Sequence, residues 1–172
     1  MRDTGLVAER TLWYAAWSGD VRLTLELLQE GADPDSRAPD GKTPLMEAVD
    51  EPGEFFDAPR EAVAVALIDG GADVAAQDEL GWTALHHAGR ASSRAVELLL
   101  GAGAGVEVAA HDGTTPLHTA AAHANVEVAR ALIAAGASPA LRDGNGFTPL
   151  DVARREHDPT ELRLLTFLLE GG

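Results

Sequence analysis

The apolar residues of this chain recur in short stripes at regular intervals. An aliphatic pair ends three residues before a glycine in five places. The pairs are Leu27-Leu28, Leu67-Ile68, Leu99-Leu100, Leu132-Ile133 and Leu168-Leu169, which precede Gly31, Gly71, Gly103, Gly136 and Gly172. An apolar stripe that stops at a glycine is typical of a helix that ends in a left-handed residue. The pattern therefore predicts five short helices in a common phase.

A second pattern marks where helices begin. Asp112-Gly113 supplies a tight turn, Thr115 is suited to be an N-cap, and Pro116 stands where a missing N–H costs nothing. The equivalent helix starts are Arg10, Thr43, Thr83, Thr115 and Thr148, with spacings of 33, 40, 32 and 33 residues. Both signals together predict five units of turn, helix, turn and helix. In the fourth unit we expect helices at about 116–123 and 126–135.

These motifs resemble those of the ankyrin repeat family. The resemblance is carried by Thr115-Pro116-Leu117-His118-Thr119-Ala120-Ala121, by Thr83-Ala84-Leu85-His86, and by the unit endings Gly31-Ala32-Asp33 and Gly71-Ala72-Asp73. It covers residues 6–172 and implies an all-α repeat solenoid. Antiparallel helix pairs would stack side by side in one domain, with β-hairpin loops along one edge. The units are expected at about 6–38, 39–78, 79–110, 111–143 and 144–172.

The first and last units depart from the pattern and are expected to be caps. Arg10 replaces the threonine and Trp13 the histidine in the first unit, and Asp151 replaces the histidine in the last. The last helix is more apolar than the polar outer face of a terminal repeat requires. Either its apolar residues are mostly internal, or this end of the stack packs on something.

The second unit carries an insertion at about 50–59. It contains Phe55 and Phe56 between two prolines, Pro52 and Pro59, so that a continuous helix is not expected there. The insertion is either a tolerated surface loop with its rings tucked onto the repeat, or an acidic, aromatic contact loop.

Charge and composition narrow the classes of partner. The formal net charge is −15, which disfavours nucleic acid and anionic membrane as partners. Cysteine is absent, no leader or spanning segment is recognisable, and a cytoplasmic protein is predicted. Thirteen basic residues include one lysine, and this arginine bias favours a bacterial source.

No enzymatic or cofactor motif is recognisable. His86 and His118 occupy the position to which the resemblance assigns structural hydrogen bonds. No His-Glu-x-x-His or cysteine framework suggests zinc, and the alternative left open is that His87, His111 and His123 approach one another on the concave side. The run Gly101-Ala102-Gly103-Ala104-Gly105 follows a helix C-terminus, which repels rather than binds a phosphate. We therefore predict a protein that is not an enzyme and holds no cofactor or metal.

The prediction that remains is a protein-interaction module. By resemblance, its partner would contact the hairpin tips and the concave face of the first helices. The candidate contact residues are Trp17, Asp40, Lys42, Phe55, Phe56, Leu80, Trp82, Arg90, His111, Asp112, Thr114, His123, Phe147 and Arg155. For Trp82 and Phe147 the alternative is that each ring folds back on its neighbouring hairpin. The acidic charge favours a basic protein partner, and a narrower hypothesis is an inhibitor or immunity-type protein for a basic enzyme.

The alternative is structural self-assembly. A homo-oligomer would form through the apolar C-terminal helix and the 50–59 loop. We expect a monomer in preference to it.

Overall fold

The computed structural model describes residues 11–50, 57–158 and 162–170. In these residues the chain forms ten α-helices and no β-strand. The helices are α1 (Leu12–Ser18), α2 (Val21–Gln29), α3 (Pro44–Val49), α4 (Ala58–Asp69), α5 (Ala84–Gly89), α6 (Ser93–Gly101), α7 (Pro116–Ala122), α8 (Val126–Ala134), α9 (Pro149–Glu156) and α10 (Arg163–Leu169). They form five consecutive pairs, which confirms the predicted all-α repeat solenoid.

The helices stack in two rows. The first helices of the pairs form one row in which each helix packs against the next, in the order α1, α3, α5, α7 and α9. Among the second helices, α2 packs on α4, α6 on α8, and α8 on α10. None of the helices within the described ranges is long and apolar enough to cross a membrane.

The helix starts follow from the repeated threonine. Thr43, Thr83, Thr115 and Thr148 are N-caps with extended backbone, and a proline follows three of them. In the fourth unit the helices lie within one residue of the predicted bounds, and Gly136 (φ 99°) ends α8. Its N–H donates to Ile133 O at 2.9 Å, which satisfies a carbonyl of the last turn.

The first helix begins one residue later than predicted. Thr11, rather than Arg10, is the N-cap, and its side chain accepts from the backbone N–H of Tyr14. Leu12 and Ala16 are nonetheless buried like their equivalents Leu117 and Ala121. The register of the unit was therefore right, but the helix starts where a capping side chain is available.

The core runs through the stack as rows of buried aliphatic side chains. Leu45, Leu85 and Leu117 of the first helices are at most 1% exposed. The predicted aliphatic pairs supply the facing row through Leu67, Leu99 and Leu132, all 0% exposed. Fully buried alanines such as Ala48, Ala88 and Ala120 lie between these leucines, and their small side chains let neighbouring helices approach closely.

The C-terminal helix is mostly internal, but not entirely. Leu162, Leu165 and Leu169 are buried, which explains most of the apolar character of α10. Phe167 points the other way and is 65% exposed. Phe55 and Phe56 lie outside the described residues; α3 ends before the insertion and α4 begins at its end, with Asp57 as N-cap.

Candidate interaction surface

Four equivalent loops precede the first helices of units two to five. We call residues 38–42, 78–82, 110–114 and 143–147 the tip loops. In each one the first residue donates its N–H to the carbonyl of the fifth, at 2.8–2.9 Å. The fourth residue is a glycine that donates back to the first, at 2.9–3.0 Å. The loops predicted as β-hairpins are therefore tight, hydrogen-bonded turns without regular strands.

Aspartates stiffen the tip loops further. Asp40 and Asp112 accept the backbone N–H groups of Lys42 and Thr114, at 3.2 and 2.9 Å. Burial would raise the pKa of Asp112, but the bonds from Thr114 outweigh it and lower that pKa. Asp40 and Asp112 are exposed, so each carboxylate both shapes its loop and faces solvent.

Backbone hydrogen bonds join the last three tip loops to one another. The N–H of His111 donates to Leu80 O at 3.0 Å, and that of Gly144 donates to Asp112 O at 2.7 Å. Gly113 (φ 80°) makes the second contact possible, because a Cβ there would lie 2.6 Å from Gly144 N. The last three tip loops thus form a bonded row, with Leu80 (65% exposed), His111 and Asp112 displayed on it.

Two histidines tie the last two tip loops to the first helix of the preceding unit. His86 Nδ1 lies 3.1 Å from the N–H of Thr83, and its Nε2 lies 3.0 Å from Thr114 O. Nδ1 therefore accepts and Nε2 carries the proton. His118 makes the same pair of contacts with Thr115 and Phe147, at 3.3 and 3.0 Å. Burial lowers the pKa of His86 to about 4, so His86 is neutral at physiological pH.

The aromatic residues of the tip loops fold back onto helices. Trp82 is half-buried and stacks on His86, with ring centroids 5.8 Å apart and an interplanar angle of 28°. Phe147 lies under the guanidinium of Arg155, whose Cζ is 4.4 Å from the ring centroid. Both rings keep an accessible part, so the structure places them beside the tip surface rather than free at its end.

A buried polar cluster joins the second unit to the third. Lys42 Nζ lies 2.8 Å from Asp50 Oδ2. The same oxygen lies 3.2 Å from His87 Nδ1, without a well-aligned hydrogen bond. On its other side, His87 Nε2 lies 3.0 Å from Asp78 Oδ2. Arg90 approaches Asp50 Oδ1 at 3.7 Å.

This cluster is mostly buried, so it stabilises the fold rather than presenting side chains to a partner. His87 and Asp78 are only 3% and 8% exposed. Burial alone would raise the pKa of Asp50, but His87 and Lys42 outweigh it and lower the pKa to about 2. Two predicted contact residues, Lys42 and Arg90, therefore have a carboxylate partner within the protein.

The other predicted contact residues lie along the first helices. Trp17 is 49% exposed on α1, beside Tyr14 at 5.8 Å. His123 is exposed, and its Nδ1 lies 3.0 Å from Thr119 O.

His87 does not share this surface with His111 and His123, because it is enclosed by Asp50 and Asp78. Within the described ranges, no group of three or more histidine, aspartate or glutamate residues is arranged to hold a metal ion.

A stack of paired helices with a bonded row of tip loops defines a repeat scaffold. Matches to the family model described as "Ankyrin repeats (3 copies)" cover residues 12–110, 55–143 and 89–172. The chain belongs to the ankyrin repeat family. Ankyrin repeats generally mediate protein–protein interaction, and proteins built from them are typically non-enzymatic interaction modules.

Several curated proteins share this repeat region. The chain is 42% identical over 99 residues to the mouse protein "Ankyrin repeat and SOCS box protein 16", covering 52% of this chain and 22% of that protein. It is 36% identical over 95 residues to the human "BCL-6 corepressor-like protein 1", covering 55% and 5%. It is 29% identical over 158 residues to the zebrafish "Putative palmitoyltransferase ZDHHC13", covering 90% and 23%. The chain spans less than a quarter of each relative.

Proposed function

We propose that this protein binds a partner protein through the row of tip loops and the adjoining face of the first helices. The observation that carries the proposal is the bonded row of tips, which holds Leu80, His111 and Asp112 exposed on a rigid backbone. A preorganised surface loses little conformational entropy on binding. Trp82 and the Phe147–Arg155 pair border this surface and supply larger contact areas.

We propose a basic partner because the acidic residues are unevenly distributed. Residues 20–107 contain eighteen acidic and six basic residues. A negative surface of this kind speeds association with a positive one and makes that association sensitive to salt. A monomeric, cytoplasmic inhibitor or immunity-type protein for a basic enzyme is the narrower form of the proposal.

The test is affinity capture from the source cell, followed by measurement of the dissociation constant of the purified pair. The tip variant Asp40→Asn/Glu79→Gln/Asp112→Asn removes three exposed charges and keeps an acceptor oxygen at each site. The control Glu26→Gln/Glu97→Gln/Glu127→Gln removes three exposed charges from second helices. We expect the tip variant to weaken binding about tenfold and the control to leave it nearly unchanged.

Hydrophobic contact is tested separately with Leu80→Ala. Because Leu80 is exposed, this change should weaken binding without altering the circular dichroism spectrum or thermal stability. Equal affinity of wild type, tip variant and Leu80→Ala would remove the tip loops from the binding site. Affinity that does not change with salt would contradict the basic partner.

Self-assembly is the second candidate, and the exposed ring of Phe167 favours it. Phe167 lies at the last helix, beside the Arg154–Glu170 ion pair (2.9 Å). Sedimentation velocity over a wide concentration range tests this candidate. A mass that rises with concentration in wild type and stays monomeric in Phe167→Ser would establish it.

A further inference from the structure

An apolar groove lies between the second helices of the first two units. It has a volume of about 690 Å³ and is lined by α2 and α4. We call it the α2–α4 groove. Its walls include Val21, Leu25 and Leu28 of α2 and Ala62, Val65 and Ala66 of α4. Leu25 and Val65 are 44% and 37% exposed, so the groove presents apolar side chains to solvent.

Small residues on α4 keep the groove open. Ala58, Ala62, Ala66 and Gly70 follow one another at intervals of four, which places them on one side of the helix. Leu28 packs against Gly70 so tightly that a Cβ there would lie 3.0 Å from Leu28 Cδ1. From Ala58 to Gly70 the helix rises about 18 Å, the length of roughly three turns of a second helix.

The two helices run in parallel, and this gives the groove a negative end. Arg60, near the start of α4, donates to Trp17 O at 2.7 Å, just before the start of α2. At the other end, Leu28 and Gly70 bring the two C-termini together. Helix C-termini carry partial negative charge. The carboxylate of Asp69, the last residue of α4, adds to it there.

The carboxylate of Asp69 adds negative charge at a helix C-terminus that is already negative, which is unfavourable in the isolated protein. It is exposed at the last residue of α4 and makes no ion pair within the described ranges. The other lining acid, Glu61, is already engaged by Arg94 Nε at 2.6 Å. The lining carboxylate without an ion pair in the described ranges is therefore that of Asp69, at the C-terminal end of the groove.

We infer that the α2–α4 groove binds an amphipathic helix of a partner protein, with its apolar side in the groove and basic residues over the C-termini of α2 and α4. Leu25 and Val65 contact the apolar side, and Asp69 pairs with a lysine or arginine. Helices pack by placing side-chain ridges into such grooves, and an i, i+4 spacing of apolar anchors fits its three-turn length. This surface is separate from the tip loops.

The test uses a defined peptide pair. Each peptide is a stapled, fluorescein-labelled helix with leucine at every third or fourth position, alanine and glutamine elsewhere, and three charged residues at its C-terminus. One peptide carries lysines there and its twin carries glutamates. Fluorescence anisotropy should show the lysine peptide binding the full chain at least tenfold more tightly than its twin.

Three variants locate the binding. Asp69→Lys should reduce affinity for the lysine peptide at least fivefold and increase affinity for the glutamate twin, a reversal that misfolding cannot produce. Ala62→Phe should abolish both by filling the groove. The control Glu127→Lys changes the net charge equally on exposed α8 and should leave both affinities nearly unchanged. Circular dichroism verifies each fold.

Three results would overturn the inference. These are no binding of the lysine peptide by wild type, an equal loss in Asp69→Lys and Glu127→Lys, and unchanged binding in a well-folded Ala62→Phe. Concentration-dependent dimerisation lost in Leu25→Glu would instead assign the groove to a second copy of this chain. The tip variant, which leaves the groove intact, should still bind the peptide, so this inference and the proposed function can fail separately.

Discussion

In units two to five, the side chain three residues after the N-cap threonine lies close to the backbone N–H of that threonine. Met46 Sδ, His86 Nδ1, His118 Nδ1 and Asp151 Oδ2 all lie within 3.4 Å of the threonine N–H. The two histidines have a second nitrogen, which reaches the next tip loop. A histidine here therefore caps its own helix and bonds to the following unit. Met46 and Asp151 cap their own helices, and neither bonds to a following unit within the described residues.

The two actions of His118 can be separated by mutation. We expect His118→Ala to lower the free energy of unfolding by about 1–3 kcal/mol, because it leaves Thr115 N–H and Phe147 O without this partner. His118→Asn should lose less, because its short amide still reaches the threonine. Urea titration measures both. Equal losses would mean that the cap contributes nothing separable from the bond between units.

The buried neutral state of His86 makes stability depend on pH. Its pKa is about 4 in the folded protein and 6.5 as an ordinary value. Between these values the unfolded chain binds more protons, so stability is fully present above about pH 6.5 and falls as the pH drops toward 4. Urea midpoints at pH 7, 5.5 and 4.5 should decline, and His86→Asn should flatten that decline. An unchanged slope in the variant would contradict this assignment.

At the scale of elements, the buried polar cluster links α3, α5 and a tip loop. Asp50 caps the C-terminal end of α3, His87 belongs to α5, and Asp78 starts the tip loop before it. Asp78 Oδ1 also accepts the N–H groups of Leu80 and Trp82, each at 2.9 Å. The carboxylates thus fix both a helix end and the loop that displays Leu80.

Removing the Asp50 charge tests how much this cluster contributes to the free energy of unfolding. We expect Asp50→Asn to cost about 1–3 kcal/mol at pH 7, because it leaves Lys42 and His87 beside a neutral group. The low pKa of Asp50 means that its contribution is present above about pH 4 and is lost as the pH falls toward 2. The difference between wild type and variant in denaturant titrations should therefore shrink over that range. A difference that does not change with pH would show that the charge is irrelevant.

Repeating features could be predicted from the sequence, and features shared between unlike units could not. The threonine caps, the glycine stops and the roles of His86 and His118 follow local patterns that recur at a fixed spacing. The Lys42–Asp50–His87–Asp78 cluster joins side chains that occur together once, so no periodicity revealed it. The sequence placed Trp82 at the tip loop, but it did not predict that the ring would stack on His86 of the following helix. The alanines of α4 recur at intervals of four in the sequence, but this spacing does not predict that α2 packs beside them to form the groove.

At the scale of the whole molecule, stability depends on contacts between neighbours. The inner helix α7 packs between α5 and α9, whereas α1 has a neighbouring first helix on one side only within the described ranges. Removing a buried side chain from an inner unit therefore weakens its packing against two neighbouring units, and removing one from an end unit weakens packing against one.

Matched leucine truncations test this dependence. Leu117→Ala should cost about 2–5 kcal/mol through the cavity that it leaves in the middle of the core. Leu12→Ala, at the first helix and also buried, should cost less because fewer units surround it. Chemical denaturation of both variants gives the comparison. Equal costs would show that the domain unfolds without regard to position in the stack.

The buried polar cluster also restricts how this array can be rearranged by recombination. Exchange or duplication of units is tolerated where a boundary consists of apolar contacts and backbone bonds, because any similar unit restores them. The boundary between the second and third units is different, since a new neighbour without the Asp50 carboxylate would leave His87 enclosed without that partner. These two units should therefore be inherited as a pair, and chimaeras that separate them should fold less well than chimaeras divided between the third and fourth.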